Sequence, residues 1–100
     1  GDEIRSDDVS DIALVSVRNI FGSIRRPVFV EDTGLFINSL NGFPGTYSGW
    51  VYSKIGLGGI LSLLNGVSDR SAVFRTAVAY KTDTDERMFI GECLGSIATS

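Results

Sequence analysis

Between residues 7 and 34 the apolar pattern changes period once, from helical to extended, and then stops abruptly at a pair of acids. Val9, Ile12, Ala13, Val17, Ile20 and Phe21 recur at three- and four-residue steps, which places them on one face of a helix over residues 7–21. Ser6 is a candidate N-cap, Asp7 and Asp8 suit the positive end of the helix, and Gly22 is a candidate stop. Pro27 to Val30 is a short run of β-branched and aromatic residues with proline at its start, where a missing N–H is tolerated, and it predicts a buried strand. Glu31-Asp32-Thr33-Gly34 follows at once and reads as a polar turn. Helix, buried strand and polar turn in that order predict an α/β fold, in which ligands gather at the C-terminal ends of strands.

The remaining pattern extends this architecture. Leu35 to Leu40 is compatible with a short helix, and Asn41-Gly42-Phe43-Pro44-Gly45 is a loop by composition. Tyr47 to Ile55 and Ile60 to Leu64 predict two helices, with Gly56, Gly58 and Gly59 between them and Gly66 as a stop. Alternation over Ala72, Phe74, Thr76, Val78 and Tyr80, then a β-prone run from Arg87 to Ile97, predicts a hairpin turning through Lys81 to Glu86. The expected fold is α/β: a mixed, twisted sheet flanked by helices. One hundred residues fit a single domain, and 43% apolar residues give it a core without staples.

Composition narrows the chemistry. With no histidine, the chain has neither a Ser-His nor a Cys-His pair of its own. Cys93 is the only cysteine, so no intrachain disulfide forms, which fits a reducing compartment and a cytoplasmic protein. A net charge of -3 repels nucleic-acid backbones, and no apolar run reaches the ~20 residues of a membrane span. Neither nucleic acid nor membrane is therefore an expected partner. A nucleotide substrate stays compatible, because a bound cation offsets local acid.

Glu31 and Asp32 are the candidate centre. Strand alternation points adjacent side chains to opposite sides, so one of the two faces a given ligand. A hard cation such as Mg²⁺ takes one or two carboxylates plus waters and phosphate oxygens. The plainer alternative is a capping or turn acid at a strand end. Glu3, upstream of the helix, is either a second acid for the same site or a solvated terminal residue. Gly56-Leu57-Gly58-Gly59 lacks the strand-loop-helix setting and the Lys-Ser/Thr ending of a phosphate-binding loop, and reads as a hinge. Asp69-Arg70 reads as a loop ion pair or a strand-start anchor, and the aromatic stretch Phe43, Tyr47, Trp50, Tyr52 as core or dimer packing.

Val30-Glu31-Asp32-Thr33-Gly34-Leu35, followed by Leu40-Asn41-Gly42-Phe43-Pro44-Gly45-Thr46-Tyr47-Ser48, resembles the signature of the inosine-triphosphate pyrophosphatase family. Glu3-Ile4-Arg5-Ser6-Asp7-Asp8, Gly59 to Leu64, Asp69 to Phe74 and Phe89 to Ile97 fit in the same order, so the resemblance spans essentially the whole chain. It implies Mg²⁺-dependent hydrolysis of ITP, dITP and XTP to monophosphate and pyrophosphate, commonly by a homodimer. It implies that Asp32 is the proton-accepting, metal-associated carboxylate, that Thr33 contacts substrate, and that Glu3 is the upstream metal acid. The sequence also departs from the family pattern. The Thr-Gly-Asn-x-x-Lys loop and the Phe-Gly-Tyr-Asp-Pro and Ser-His-Arg stretches are absent, Ser16 stands where many relatives carry a helix lysine, and Gly49 where some carry another. The expectation is therefore the central portion of that enzyme, inactive or nearly so alone, with an uncovered sheet edge or apolar face. A non-catalytic structural or dimerising module is the rival. An aspartyl-nucleophile phosphatase would need a second acid two residues after the first, and Glu31-Asp32-Thr33-Gly34 does not supply it.

Overall fold

A computed structural model describes residues 8–99. Their elements are helix α1 (Val9–Ile24), strand β1 (Val28–Ile37), a 3₁₀ turn (Asn38–Leu40), strand β2 (Pro44–Gly45), helix α2 (Ser48–Leu63) and strands β3 (Ser71–Lys81) and β4 (Glu86–Ser96). The strands form one sheet in the order β2-β1-β3-β4. Two helices on a four-stranded sheet give the expected α/β class. The chain clusters into two compact units. The first holds the described residues through Thr33 together with Thr76–Gly91, and the second holds Gly34–Arg75 with the described residues from Glu92 onward.

In the first unit, α1 buries Val9, Ala13, Val17 and Phe21, a four-residue stripe one turn apart. Asp8 caps it, accepting from the Ser10 N–H at 2.9 Å. The expected cap Ser6 and helix start Asp7 lie outside the described residues. The expected stop at Gly22 is displaced: the helix continues to Ile24 and closes on Arg25, whose left-handed backbone (φ 55) lets its N–H reach the Phe21 carbonyl at 2.9 Å. Pro27, two residues on, cannot rejoin the helix. Arg18 forks onto Glu86, with Nε to Oε1 at 2.7 Å and Nη2 to Oε2 at 2.8 Å. This hydrogen bonding holds the Glu86 carboxyl below its ordinary range. Both partners are solvent-exposed, so the pair orients more than it stabilises.

Strand β1 is longer than its apolar run. Glu31 to Gly34 is not a turn but extended strand, and Leu35 to Ile37 is strand rather than helix. Nor is its first part wholly buried. Val28 and Val30 are half-buried while Phe29, on the other face, is 72% exposed. The hairpin from β3 to β4 forms as expected, its turn closed by the Thr82 N–H to the Asp85 carbonyl at 2.8 Å and by Thr82 Oγ1 accepting from the Asp85 N–H at 2.9 Å.

The second unit is built around Ile37, Val51, Ile60, Leu64 and Ala72, with Leu35, Leu40, Val67 and Ile97 packed against them. β2 pairs antiparallel with β1, Leu35 opposite Gly45 and Phe36 opposite Pro44. A methyl at Gly34 would stand 2.7 Å from the Gly45 carbonyl oxygen and 2.8 Å from the Phe36 ring, so glycine alone admits this approach. Ser48 Oγ accepts from the Leu35 N–H at 2.8 Å and donates to the Gly45 carbonyl at 2.5 Å, tying the first residue of α2 to both strands. α2 breaks at Gly56 (φ 66), the hinge expected from the glycine cluster, and resumes by Leu57, so that Gly58 and Gly59 are helical. The aromatic stretch is not core: Trp50 is 63% and Tyr52 58% exposed, and Phe43 and Tyr47 are exposed too. Asp69 and Arg70 are a strand-start anchor. Asp69 Oδ1 accepts from the Ser71 N–H and hydroxyl. Arg70 donates to the carbonyls of Leu64 (2.8 Å), Ile97 (3.0 Å) and Ala98 (2.9 Å).

Candidate functional site

The pleat of β1 separates the two residues after Val30 that carry chemistry. Glu31 is exposed and Asp32 half-buried, alternating with exposed Phe29 and Thr33. Thr33 Oγ1 lies 3.0 Å from Thr76 Oγ1 on β3, so those two side chains share one face of the sheet. The alternate row of β3 then shares the other face with Asp32: Ala77 and Ala79, both fully buried, and Lys81. Lys81 Nζ stands 5.1 Å from the centre of the Phe21 ring, so this is the face α1 covers. Alternation is therefore enough to carry Asp32 inward beside the helix and to leave Glu31 and Thr33 facing out.

The inward position has an electrostatic consequence. Removal from water disfavours the Asp32 carboxylate and lifts its pKa above the ordinary 3.8, a rise partly opposed by a hydrogen bond from the Thr33 backbone N–H. Asp32 Oδ2 is shielded from solvent and has no hydrogen-bond partner among the described residues. Unpaired buried polar atoms are rare in folded proteins and costly, and each has a cause: local strain, a catalytic role, or a water or ion that completes the set.

That oxygen suits a divalent cation. Among the described residues no three His, Cys, Asp or Glu side chains come together, so no all-protein cage exists. Magnesium does not need one, since it commonly takes one or two carboxylates and fills its shell with water and phosphate oxygens. Asp32 offers a single unpaired donor of the hard type that magnesium prefers. Glu3, the other carboxylate expected at a metal, lies outside the described residues. Asp32 and Thr33 are neighbours in sequence, but the alternation of the strand points their side chains to opposite faces. The partner of the Thr33 hydroxyl, Thr76, belongs to the alternating β3 pattern, and nothing in that pattern singles it out.

Comparison with known proteins gives this geometry a setting. A family model described as the Ham1 family matches residues 1–100. The dITP/XTP pyrophosphatases of Korarchaeum cryptofilum and Saccharolobus solfataricus are each 43% identical over 96 residues, covering 96% of this chain and 52% and 50% of their own lengths. That of Methanopyrus kandleri is 45% identical over 97 residues, with 52% of its length covered. The Ham1 protein of Staphylococcus aureus superposes with a TM-score of 0.86 at 24% identity, over 98% of this chain and 54% of that one. A nucleoside-triphosphatase / dITP/XTP pyrophosphatase from Mycobacterium abscessus gives a TM-score of 0.82 at 25% identity, over 99% of this chain and 56% of that one. The chain thus spans about half the length of the curated relatives it matches.

Proposed function

The chain belongs to the Ham1 family, and from that premise we propose that it carries the acid centre of a Mg²⁺-dependent pyrophosphatase acting on non-standard purine nucleoside triphosphates: ITP, dITP and XTP. The observation that carries this reading is Asp32 Oδ2, held out of water with no partner of its own among the described residues. Relatives about 43% identical are named dITP/XTP pyrophosphatases, which supports the substrate class. Asp32 would hold the magnesium, with Glu3 as the second carboxylate. When bound there, the metal supplies charge neutralisation for the triphosphate. Asp32 is also the candidate proton acceptor for the attacking water, either directly or through the metal it holds. Thr33, next to Asp32 in β1, is the candidate substrate contact.

The same proposal treats these 100 residues as the central portion of one pyrophosphatase domain, cytoplasmic and homodimeric, with negligible turnover on their own. Exposed Trp50 and Tyr52 on α2 support association with a second copy. Among the described residues no helix is long and apolar enough to cross a membrane.

Calorimetric titration of the chain with Mg-ITP, alongside a pyrophosphate-release assay, tests the reading. The expected result is binding that Asp32→Asn abolishes, with no pyrophosphate above the enzyme-free rate. An oligomer that forms without nucleotide and binds no Mg-ITP would favour the structural-module alternative instead. Robust pyrophosphate release would overturn the proposed inactivity of the isolated chain.

A further inference from the structure

We infer that Ala77 sets the clearance beside the Asp32 carboxylate: directly opposite Asp32 on β3, its single methyl group leaves a divalent cation room at Oδ2, and a branched side chain in its place would fill that room. The inference rests on the metal-binding reading of Asp32 given above.

The pairing of β1 with β3 carries the argument. Thr33 Oγ1 lies 3.0 Å from Thr76 Oγ1. Asn38, just past the end of β1, donates from Nδ2 to the hydroxyl of Ser71, at the start of β3, at 2.8 Å. Between these two bonds β1 advances from 33 to 38 while β3 steps back from 76 to 71. The strands therefore run antiparallel in one unbroken register, which sets Asp32 opposite Ala77 and Val30 opposite Ala79. Side chains opposite each other on an antiparallel pair share a face, with their Cβ atoms about 4.5–5.5 Å apart. Ala77 and Ala79 are both fully buried. Asp32 thus meets a methyl group as its cross-strand neighbour, and a methyl group cannot donate to Oδ2, which has no hydrogen-bond partner among the described residues.

Dimensions decide what fits there. Magnesium sits about 2.0–2.1 Å from its oxygen ligands and keeps several waters. Valine at position 77 would add two carbons, each roughly 1.5 Å out from Cβ, in the space that the ion and its shell need. Alanine is also a poor strand former, whereas β-branched residues pack well on a pleated surface. Val78, between the two alanines, is half-buried on the other face. The inward positions thus give up strand propensity for space. Close approach of α1 is reason enough for a small residue at either place, but only Ala77 also faces a carboxylate. That difference separates the two alanines experimentally.

The test is Mn²⁺ binding to the chain, read by water-proton relaxation, with thermal melting in parallel. Ala77→Val should weaken Mn²⁺ roughly ten-fold. Ala79→Val, the same change one place along the same row, should lower Tm to a similar extent but keep the affinity within about two-fold, since overpacking is common to both. Ala77→Ser adds little volume and gives Oδ2 a hydroxyl partner that the cation must displace, so it should weaken Mn²⁺ about three-fold with Tm held. Weakening by Ala79→Val as large as that by Ala77→Val, or no weakening by Ala77→Val, overturns the role of Ala77 and leaves the metal site standing. Should Ala77→Val fail to fold, the serine variant decides, and unchanged affinity in Ala77→Ser overturns the role in the same way. Mn²⁺ binding that Asp32→Asn does not weaken overturns the metal reading and the inference with it.

Discussion

At pH 7 the Asp32→Asn chain should melt about 2–5 °C above the unsubstituted chain, while its Mn²⁺ affinity falls about ten-fold or more. The two changes share one cause. Folding takes the Asp32 carboxylate out of water without giving its Oδ2 a partner among the described residues, and desolvation lifts its pKa above the ordinary 3.8. Between 3.8 and the lifted value, the native chain binds more protons at this site than the unfolded chain. Stability contributed by this group therefore falls as pH rises through that window, and the whole penalty is present at neutral pH. Asparagine removes the charge and keeps the shape. Its amide still occupies an unpaired position, so the gain is confined to the charge and stays modest. Melting curves at pH 3 and pH 7 check the account: the difference between the two chains should shrink at pH 3, where both carry a neutral group. A Tm difference equal at both values would show that desolvation of the carboxylate is not its cause.

Arg70→Ala should lower Tm by about 10–20 °C. A charged hydrogen bond contributes roughly 1.5–3 kcal/mol, and Arg70 makes three, to carbonyls after α2 and after β4. The carbonyls it leaves lie near the surface and regain water, so the expected loss is about 3 kcal/mol rather than the sum. Arg70→Lys should recover less than half, because an ammonium lacks the planar fork that reaches several acceptors at once. A fall under about 3 °C for the alanine variant would mean that the guanidinium follows the loops rather than holding them.

How far the sequence revealed this structure depends on which signal each element carries. α1 was legible because its buried residues Val9, Ala13, Val17 and Phe21 stand one turn apart, and no other conformation uses that spacing. The break in α2 was legible because only glycine tolerates φ 66, and Gly56 stands in a glycine cluster. The second half of β1 was not. Glu31, Asp32 and Thr33 are polar, and polar runs after a strand usually turn. Here their alternation continues the strand, with Glu31 and Thr33 facing out and Asp32 facing in. Composition cannot register such a continuation, because the outward positions of an open sheet face accept polar residues freely. Likewise the aromatic side chains at Trp50 and Tyr52 suggest a core by type, yet face outward on a helix whose inward positions are Val51 and Ile60. The bond between Thr33 and Thr76 depends on the register of β1 against β3, which neither strand encodes alone.

Strand β4 carries a cost of its own. It closes the strand order of the described residues, and nearly every residue from Glu86 to Ser96 is exposed, with Phe89 turned to water on one side and Ile90 and Leu94 on the other. Glu86, Arg87 and Glu92 interrupt this row with charge, a recognised brake on edge-to-edge growth. Whatever self-association escapes that brake needs two edges to meet, so loss by this route is expected to rise with the square of protein concentration rather than in proportion to it.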